Sequence, residues 1–194
     1  ALVKAANVPV TSTLMGLGAY PGSDTQSLGM LGMHGTYEAN MAMHETDLIF
    51  ALGARFDDRV TNNPDKFSPK ATIVHLDVDS ASVDKIVRSD IALVGDAGWA
   101  LNALWDAYQA RDAERDASAK EKQQQDMVQW WKQIDQWRSA HGLNHDLQPA
   151  AGQSILPQLA IQTLYRVTQG DAFVTSDVGQ HQMFAAQYYH FDEP

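Results

Sequence analysis

Residues 47–60 read DLIFALGARFDDRV. The first half is a continuous apolar run, which suits a strand buried on both faces of a parallel sheet. The second half places Arg55, Phe56, Asp57, Asp58 and Arg59 where that strand would leave the core, the phenylalanine looking exposed among the charges. Open α/β sheets bind ligands outside the carboxyl ends of their strands, so charge at this place points to a bound molecule.

Similar runs occur at 72–79 (TIVHLDVD), 91–96 (IALVGD) and 172–179 (AFVTSDVG), with a weaker strand pattern at 8–14 (VPVTSTL). Helical patterns lie between them. Residues 34–45 carry small and apolar residues, with Glu38 and Asn40 expected outward. Residues 80–88 offer Ser80 as an N-cap and Val83, Ile86 and Val87 on one face. Strand and helix in alternation predict an α/β fold, a Rossmann-like parallel sheet flanked by helices.

The pattern changes after residue 98. Residues 111–126 are strongly polar, and Met127, Trp130, Ile134 and Trp137 then recur at helical spacing, a stripe that reads as packing. Residues 141–152 are turn-rich, and His141 and His145 read as solvated because nothing supplies a third metal ligand. Pro157 fits a first helical turn. A strand at 172–179 and a short helix-like stretch at 181–189 would then begin a second α/β unit, cut off at 194.

The chain has 194 residues, a formal net charge of −10 and no cysteine. Disulfides, thiolate metal sites and a cysteine nucleophile are excluded. There is no Lys/Arg stripe of the kind a nucleic-acid binder presents. No apolar stretch approaches the roughly 20 residues needed to span a bilayer, and a cytoplasmic location is the expectation. ALVKAAN reads as the last turns of a helix and FDEP as a stop just after one, so the chain is expected to be a piece of a longer protein.

The residues just past each apolar run carry the ligand chemistry. They are Thr13 and Leu14, then 53–59, then Asp77 and Asp79, then Gly95 and Asp96, and they are expected along one edge of one sheet. Acids at such positions accept ribose hydroxyls and arginines meet phosphates. Helix capping or ion pairing accounts for any one of them. The series favours a dinucleotide-like ligand. Residues 28–40 (LGMLGMHGTYEAN) surround Met33 and His34 with Gly29, Gly32 and Gly35 ahead of a helix. Glycines admit close backbone approach, and the helix start favours an anion. His34 alone reads as a turn residue. In DVGQHQMF (177–184) a strand end, Gly179 and a helix start offer backbone N–H groups to a diphosphate.

TSTLMGLGAYPG (11–22), residues 28–61, IVHLDVD (73–79) and TSDVGQHQMFAAQYY (175–189) together resemble the catalytic large subunits of the acetolactate synthase (acetohydroxyacid synthase) family. The resemblance implies a transferase that joins the two-carbon unit of decarboxylated pyruvate to a second 2-ketoacid, pyruvate or 2-ketobutyrate, at the head of isoleucine, valine and leucine synthesis. It implies thiamine diphosphate, magnesium, and an FAD that does no net redox work. It implies an oligomer of catalytic subunits, dimer or tetramer, with a small regulatory subunit. By this resemblance, residues 1–105 are most of the FAD-binding middle domain, 106–152 a helical and polar linker, and 153–194 the start of the thiamine-diphosphate domain.

Site residues follow motif by motif. FAD would be contacted by Thr13, Leu14, Leu31, Gly32, Met33 and His34. Gly53, Ala54, Arg55, Phe56, Asp57 and Asp58 would continue that contact, with Asp77, Val78, Asp96 and Ala97 at the adenosine end. Arg59 would recognise the carboxylate of the second ketoacid, oriented by one of Asp57 and Asp58. Val178, Gly179, Gln180 and His181 would lie against the phosphates of thiamine diphosphate. The G-D-G…N-N metal motif is absent, since Gly95-Asp96 and Gly170-Asp171 are each followed by alanine. No acid–base catalyst or metal ligand is assigned, and the chain alone is expected to be inactive. A stand-alone flavin- or nucleotide-binding module and another thiamine-diphosphate carboligase or decarboxylase are the alternatives; a substrate-facing arginine argues against the latter.

Overall fold

The computed structural model describes residues 1–143, 146–149 and 151–194. In chain order the strands are β1 (Val10–Ser12), β2 (Ser27–Met30), β3 (Leu48–Leu52), β4 (Thr72–Asp77) and β5 (Ile91–Val94). The helices are α1 (Leu2–Ala6), α2 (Tyr37–Glu45), α3 (Asp58–Thr61), α4 (Ala97–Glu114), α5 (Ala117–His141), α6 (Pro157–Thr168) and α7 (Gln180–Tyr188). The chain divides into two units: residues 1–8 with 41–136, and residues 9–40 with 137–194.

The first unit is built on a three-stranded parallel sheet in the order β3-β4-β5. Its register runs from Leu48 beside Thr72 to Leu52 beside Leu76, and from Val74 beside Ile91 to Asp77 beside Val94. The apolar runs form it because alternate residues drop into one core: Ile49, Ala51 and Ile73 are buried with Phe56 and Val87. Asp90 fastens the entry to β5, its carboxylate accepting from the Ile73 N–H at 2.8 Å while its own N–H donates to the Ile73 carbonyl at 2.9 Å. On α5 the expected stripe is present, with Ile134 fully buried and Met127, Trp130 and Trp137 half-buried. Trp131, beside that stripe, donates its indole N–H to the Asn7 carbonyl at 2.8 Å, and Tyr108 of α4 reaches the Ala5 carbonyl at 3.3 Å.

Residues 80–88 are turns rather than the expected helix. The Asp79 carboxylate takes the Ala81 N–H at 2.9 Å, and Asp84, in the left-handed region at φ 58°, bonds Ser89 through both its N–H and hydroxyl. Short acidic side chains here offer the backbone partners that a helix would otherwise supply. Val87 still reaches the core, but Ile86 is exposed.

His75, midway along the central strand β4, is fully buried, and neither ring nitrogen has a hydrogen-bond partner among the described residues. Buried polar atoms without partners cost stability. The variant His75→Phe, which keeps a flat ring and removes both nitrogens, is therefore expected to stabilise the fold by about 1 kcal/mol, the low end because the larger ring must be fitted. Urea unfolding checks this, and a loss of stability would show that the nitrogens are satisfied.

The second unit holds β1 and β2 as a parallel pair. The strand ends therefore sort into two sheets, not one, because β1 pairs with β2, a strand not expected from the sequence. Leu28 and Met30 of β2 are buried and alternate with half-buried neighbours, and Gly29 sits among them at φ +76°. α7 packs against β2 and α6. Pro157 opens α6 as expected. Residues 172–179 form no strand: Phe173 and Val178 are exposed, and no ladder partner occurs among the described residues. A parallel strand takes all its backbone partners from neighbouring strands, and this stretch has none.

Glu38 on α2 is not outward. Its side chain is 8% exposed and lies 3.5 Å from the Arg138 guanidinium of α5, on the wall of a cavity of about 270 Å³. His141 is exposed, its ring centroid 4.4 Å from that of Tyr37, and His145 lies outside the described residues. No helix among the described residues is long and apolar enough to cross a membrane.

Candidate functional site

In the first unit the sheet gathers the residues past β3, β4 and β5 along one edge. The Gly53 N–H continues the ladder onto the Leu76 carbonyl at 2.8 Å, and the Gly95 N–H onto the Asp77 carbonyl at 3.0 Å. Beyond Gly53, at φ +61°, the chain leaves the sheet. Phe56 then turns inward: it is 6% exposed and sits at φ 53°, against the expectation of an exposed ring. Burying that ring leaves Gly53, Arg55, Asp58 and Arg59 at the surface.

Asp57 organises the charged run. Its carboxylate caps α3, accepting the Arg59 N–H at 3.0 Å, and its other oxygen pairs with the Arg55 guanidinium. The sequence reading expected an acid to pair with the Arg59 side chain. The structure joins Asp57 to the Arg59 backbone and gives the ion pair to Arg55. The Arg59 N–H, more than any other group, holds the Asp57 carboxyl below the usual carboxylate range, with Asp58 and Arg55 adding to it. A depressed carboxyl contributes stability that is present above its unfolded value, about 3.9, and lost as pH falls through the lower folded value. A carboxyl titration of Asp57 by NMR is thus expected to show a midpoint below about 3.9. A midpoint at or above it would remove the cap.

The remaining acids divide. Asp96 is a helix cap, its carboxylate taking the Trp99 N–H at 2.8 Å at the start of α4, beside Ala97. Asp77 is 8% exposed and accepts the Asp79 N–H at 2.8 Å, while Val78 beside it is 75% exposed.

In the second unit β1 ends at Thr13 and Leu14, which enter a turn closed by the Gly16 N–H on the Thr13 carbonyl. β2 ends at Leu31, which is buried, and runs into Gly32, at φ +89°, and an exposed Met33. The Asn40 side chain clamps Gly32 from both sides, accepting its N–H at 2.7 Å and donating to its carbonyl at 3.0 Å. Thr36 closes the far side, donating its hydroxyl to the Leu28 carbonyl at 2.7 Å and accepting the Ala39 N–H at 3.2 Å. Gly35 has no room for a side chain: a Cβ there would lie 2.5 Å from the Met30 oxygen. The His34 carbonyl accepts from Gln187 of α7 at 3.0 Å. The loop 31–35 is therefore a turn held from behind by Asn40, Thr36 and Gln187.

Val178 is exposed, and α7 opens at Gly179 with no side-chain cap. Gln180 and His181 form its first turn, where N–H groups attract anions. A Cβ at Gly179 would sit 2.8 Å from the His181 ring, so glycine lets that ring fold back. No group of three or more metal-ligating side chains occurs among the described residues. Asn40, His75 and the Glu38–Arg138 pair escaped the sequence reading. Only Asn40 left a signal: a polar residue one helical turn after a cap, within reach of the glycines.

A family model described as the central domain of thiamine pyrophosphate enzymes matches residues 1–104. The chain is 51% identical over 192 residues to the acetolactate synthase isozyme 3 large subunit of Escherichia coli (strain K12), covering 99% of this chain and 32% of that protein. It is 50% identical over 188 residues to the acetolactate synthase large subunit of Buchnera aphidicola subsp. Schizaphis graminum, covering 97% of this chain and 31% of that one. It is 41% identical over 192 residues to the chloroplastic acetolactate synthase 1 of Nicotiana tabacum, covering 99% and 27%. The chain thus spans about a third of the length of the curated relatives it matches.

Proposed function

The chain belongs to the family of the thiamine pyrophosphate enzyme central domain, and from that premise we propose that it is part of an acetolactate synthase large subunit. The observation that carries this reading is the 51% identity maintained over 99% of the chain. The reaction joins the two-carbon unit of pyruvate to a second 2-ketoacid, and the product feeds branched-chain amino-acid synthesis. Residues 1–105 belong to an FAD-binding domain, 106–152 to a linker, and 153–194 to the start of the thiamine-diphosphate domain. The protein works in the cytoplasm as an oligomer of large subunits with a small regulatory subunit.

The residues present offer contacts to FAD and to the diphosphate of thiamine diphosphate, and no magnesium ligand is assigned among the described residues. The FAD contacts are carried over motif by motif: the backbone of 31–34 in the second unit and, for the adenosine end, Asp77 and Val78 at the sheet edge of the first. Asp96 and Ala97 stand at the same edge, with Thr13, Leu14 and 53–58 as further contacts. The uncapped start of α7 at 178–181 suits a diphosphate. Thiamine diphosphate, with magnesium, supplies the carbon–carbon chemistry when bound. Within this chain, Arg59 binds the carboxylate of the second ketoacid, and Asp57 sets the backbone from which Arg59 projects.

The test is turnover by the full-length gene product, given pyruvate, thiamine diphosphate, magnesium and FAD. Acetolactate, read colorimetrically after decarboxylation to acetoin, should form and should vanish when thiamine diphosphate is left out. A full-length protein that consumes pyruvate without making acetolactate would overturn the reading.

A further inference from the structure

We propose that Phe56 and His75 form an aromatic pin that fixes the charged loop 53–59, making both of them positioning residues for Arg59. The role of Arg59 itself rests on the reading above. Phe56 is the one buried residue of the loop 53–59. Its backbone lies at φ 53°, a conformation that a bulky residue adopts only when its surroundings impose it. The surroundings are two rings. The His75 centroid is 4.9 Å away with the planes at 84°, and the Phe67 centroid is 5.8 Å away with the planes at 77°. Both are edge-to-face contacts, the arrangement that aromatic pairs prefer.

His75 is the fixed member. It lies on the central strand of the sheet, between Ala51 of β3 and Ala92 of β5, and is fully buried. Its nitrogens bond to nothing among the described residues. The side chain therefore serves this place through its flat ring rather than through hydrogen bonding. From the pin the order passes along the chain: Phe56 sets Asp57, and Asp57 holds the Arg59 N–H at 3.0 Å and the Arg55 guanidinium. An arginine that must meet a carboxylate gains from such pre-orientation, because geometry fixed before binding need not be fixed during it.

The experiment compares His75→Leu, which keeps the volume and loses the ring, with His75→Phe, which keeps the ring, in the full-length protein. Limited trypsin digestion with mass spectrometry reads loop order directly at Arg55 and Arg59, with Arg88 and Arg111 as reference sites. His75→Leu should speed cleavage at Arg55 and Arg59 by about 2- to 10-fold, the range that an edge-to-face contact supports. The reference sites should keep their rates, and His75→Phe should cut at the parent rate. Equal acceleration at Arg88 and Arg111, or His75→Phe behaving like His75→Leu, would overturn the pin. In acetolactate assays on the same proteins, His75→Leu should raise KM for the acceptor ketoacid more than it lowers kcat. Faster cleavage at Arg55 and Arg59 with acceptor KM unchanged would overturn the positioning role, whereas parental acceptor KM in Arg59→Ala would overturn the role of Arg59 itself.

Discussion

Replacing Arg59 with alanine in the full-length protein is expected to lower kcat/KM for the acceptor ketoacid by roughly 10- to 150-fold. That range corresponds to losing a hydrogen bond to a charged group, about 1.5–3 kcal/mol. Arg59 is exposed, and its backbone rather than its side chain is held by Asp57, so the guanidinium can be removed without disturbing the cap. The effect should fall on the acceptor and spare the first pyruvate. Varying 2-ketobutyrate at fixed pyruvate, with the mixed acetohydroxyacid product followed, separates the two. An Arg59→Ala protein with parental acceptor kinetics would take Arg59 out of the site.

The largest expected effect on stability is at Arg138. Its guanidinium is 30% exposed and faces a Glu38 carboxylate that is 8% exposed, one oxygen of which has no partner among the described residues. Removing the cation leaves a buried charge uncompensated, a change that typically costs 3–5 kcal/mol. The partial exposure of Arg138 puts Arg138→Ala near the lower end, at about 3 kcal/mol. Adding Glu38→Gln should recover much of that loss, because the amide carries no charge to strand. Urea unfolding of the single and double variants measures both. A loss below about 1 kcal/mol, the size of an exposed pair, would show that Glu38 reaches solvent.

That pair also marks where the sequence stops being readable. Glu38 looked outward because its immediate neighbours say so, and the residue that draws it inward is 100 positions away. Phe56 looked exposed among four charges, and the rings of His75 on β4 and of Phe67, both distant in sequence, receive it where it turns in. The sheet of the first unit was legible, since continuous apolar runs such as DLIFAL have one good use. β2 was not, because Gly29 breaks its pattern and its partner β1 is a weak strand. The stretch 172–179 has the pattern of a strand without the neighbours that make one, and pattern alone says nothing about neighbours. The candidate site was legible as a set of strand ends and glycines. Its internal wiring was not: Asp57 to Arg55, and Asn40 to Gly32, are choices among nearby partners that geometry makes and spacing leaves open.

The packing at Gly35 sets a limit that can be expressed in the language of genes. Any side chain there would press into the carbonyl oxygen of Met30 and the backbone of Leu31, and a peptide backbone cannot swing aside as a flexible side chain can. Every glycine codon shares its first two bases, so descent can alter this codon only at its third. At Gly95 nothing lies within 4 Å of the corresponding place and the backbone is ordinary, so packing within the fold sets no such limit on that codon.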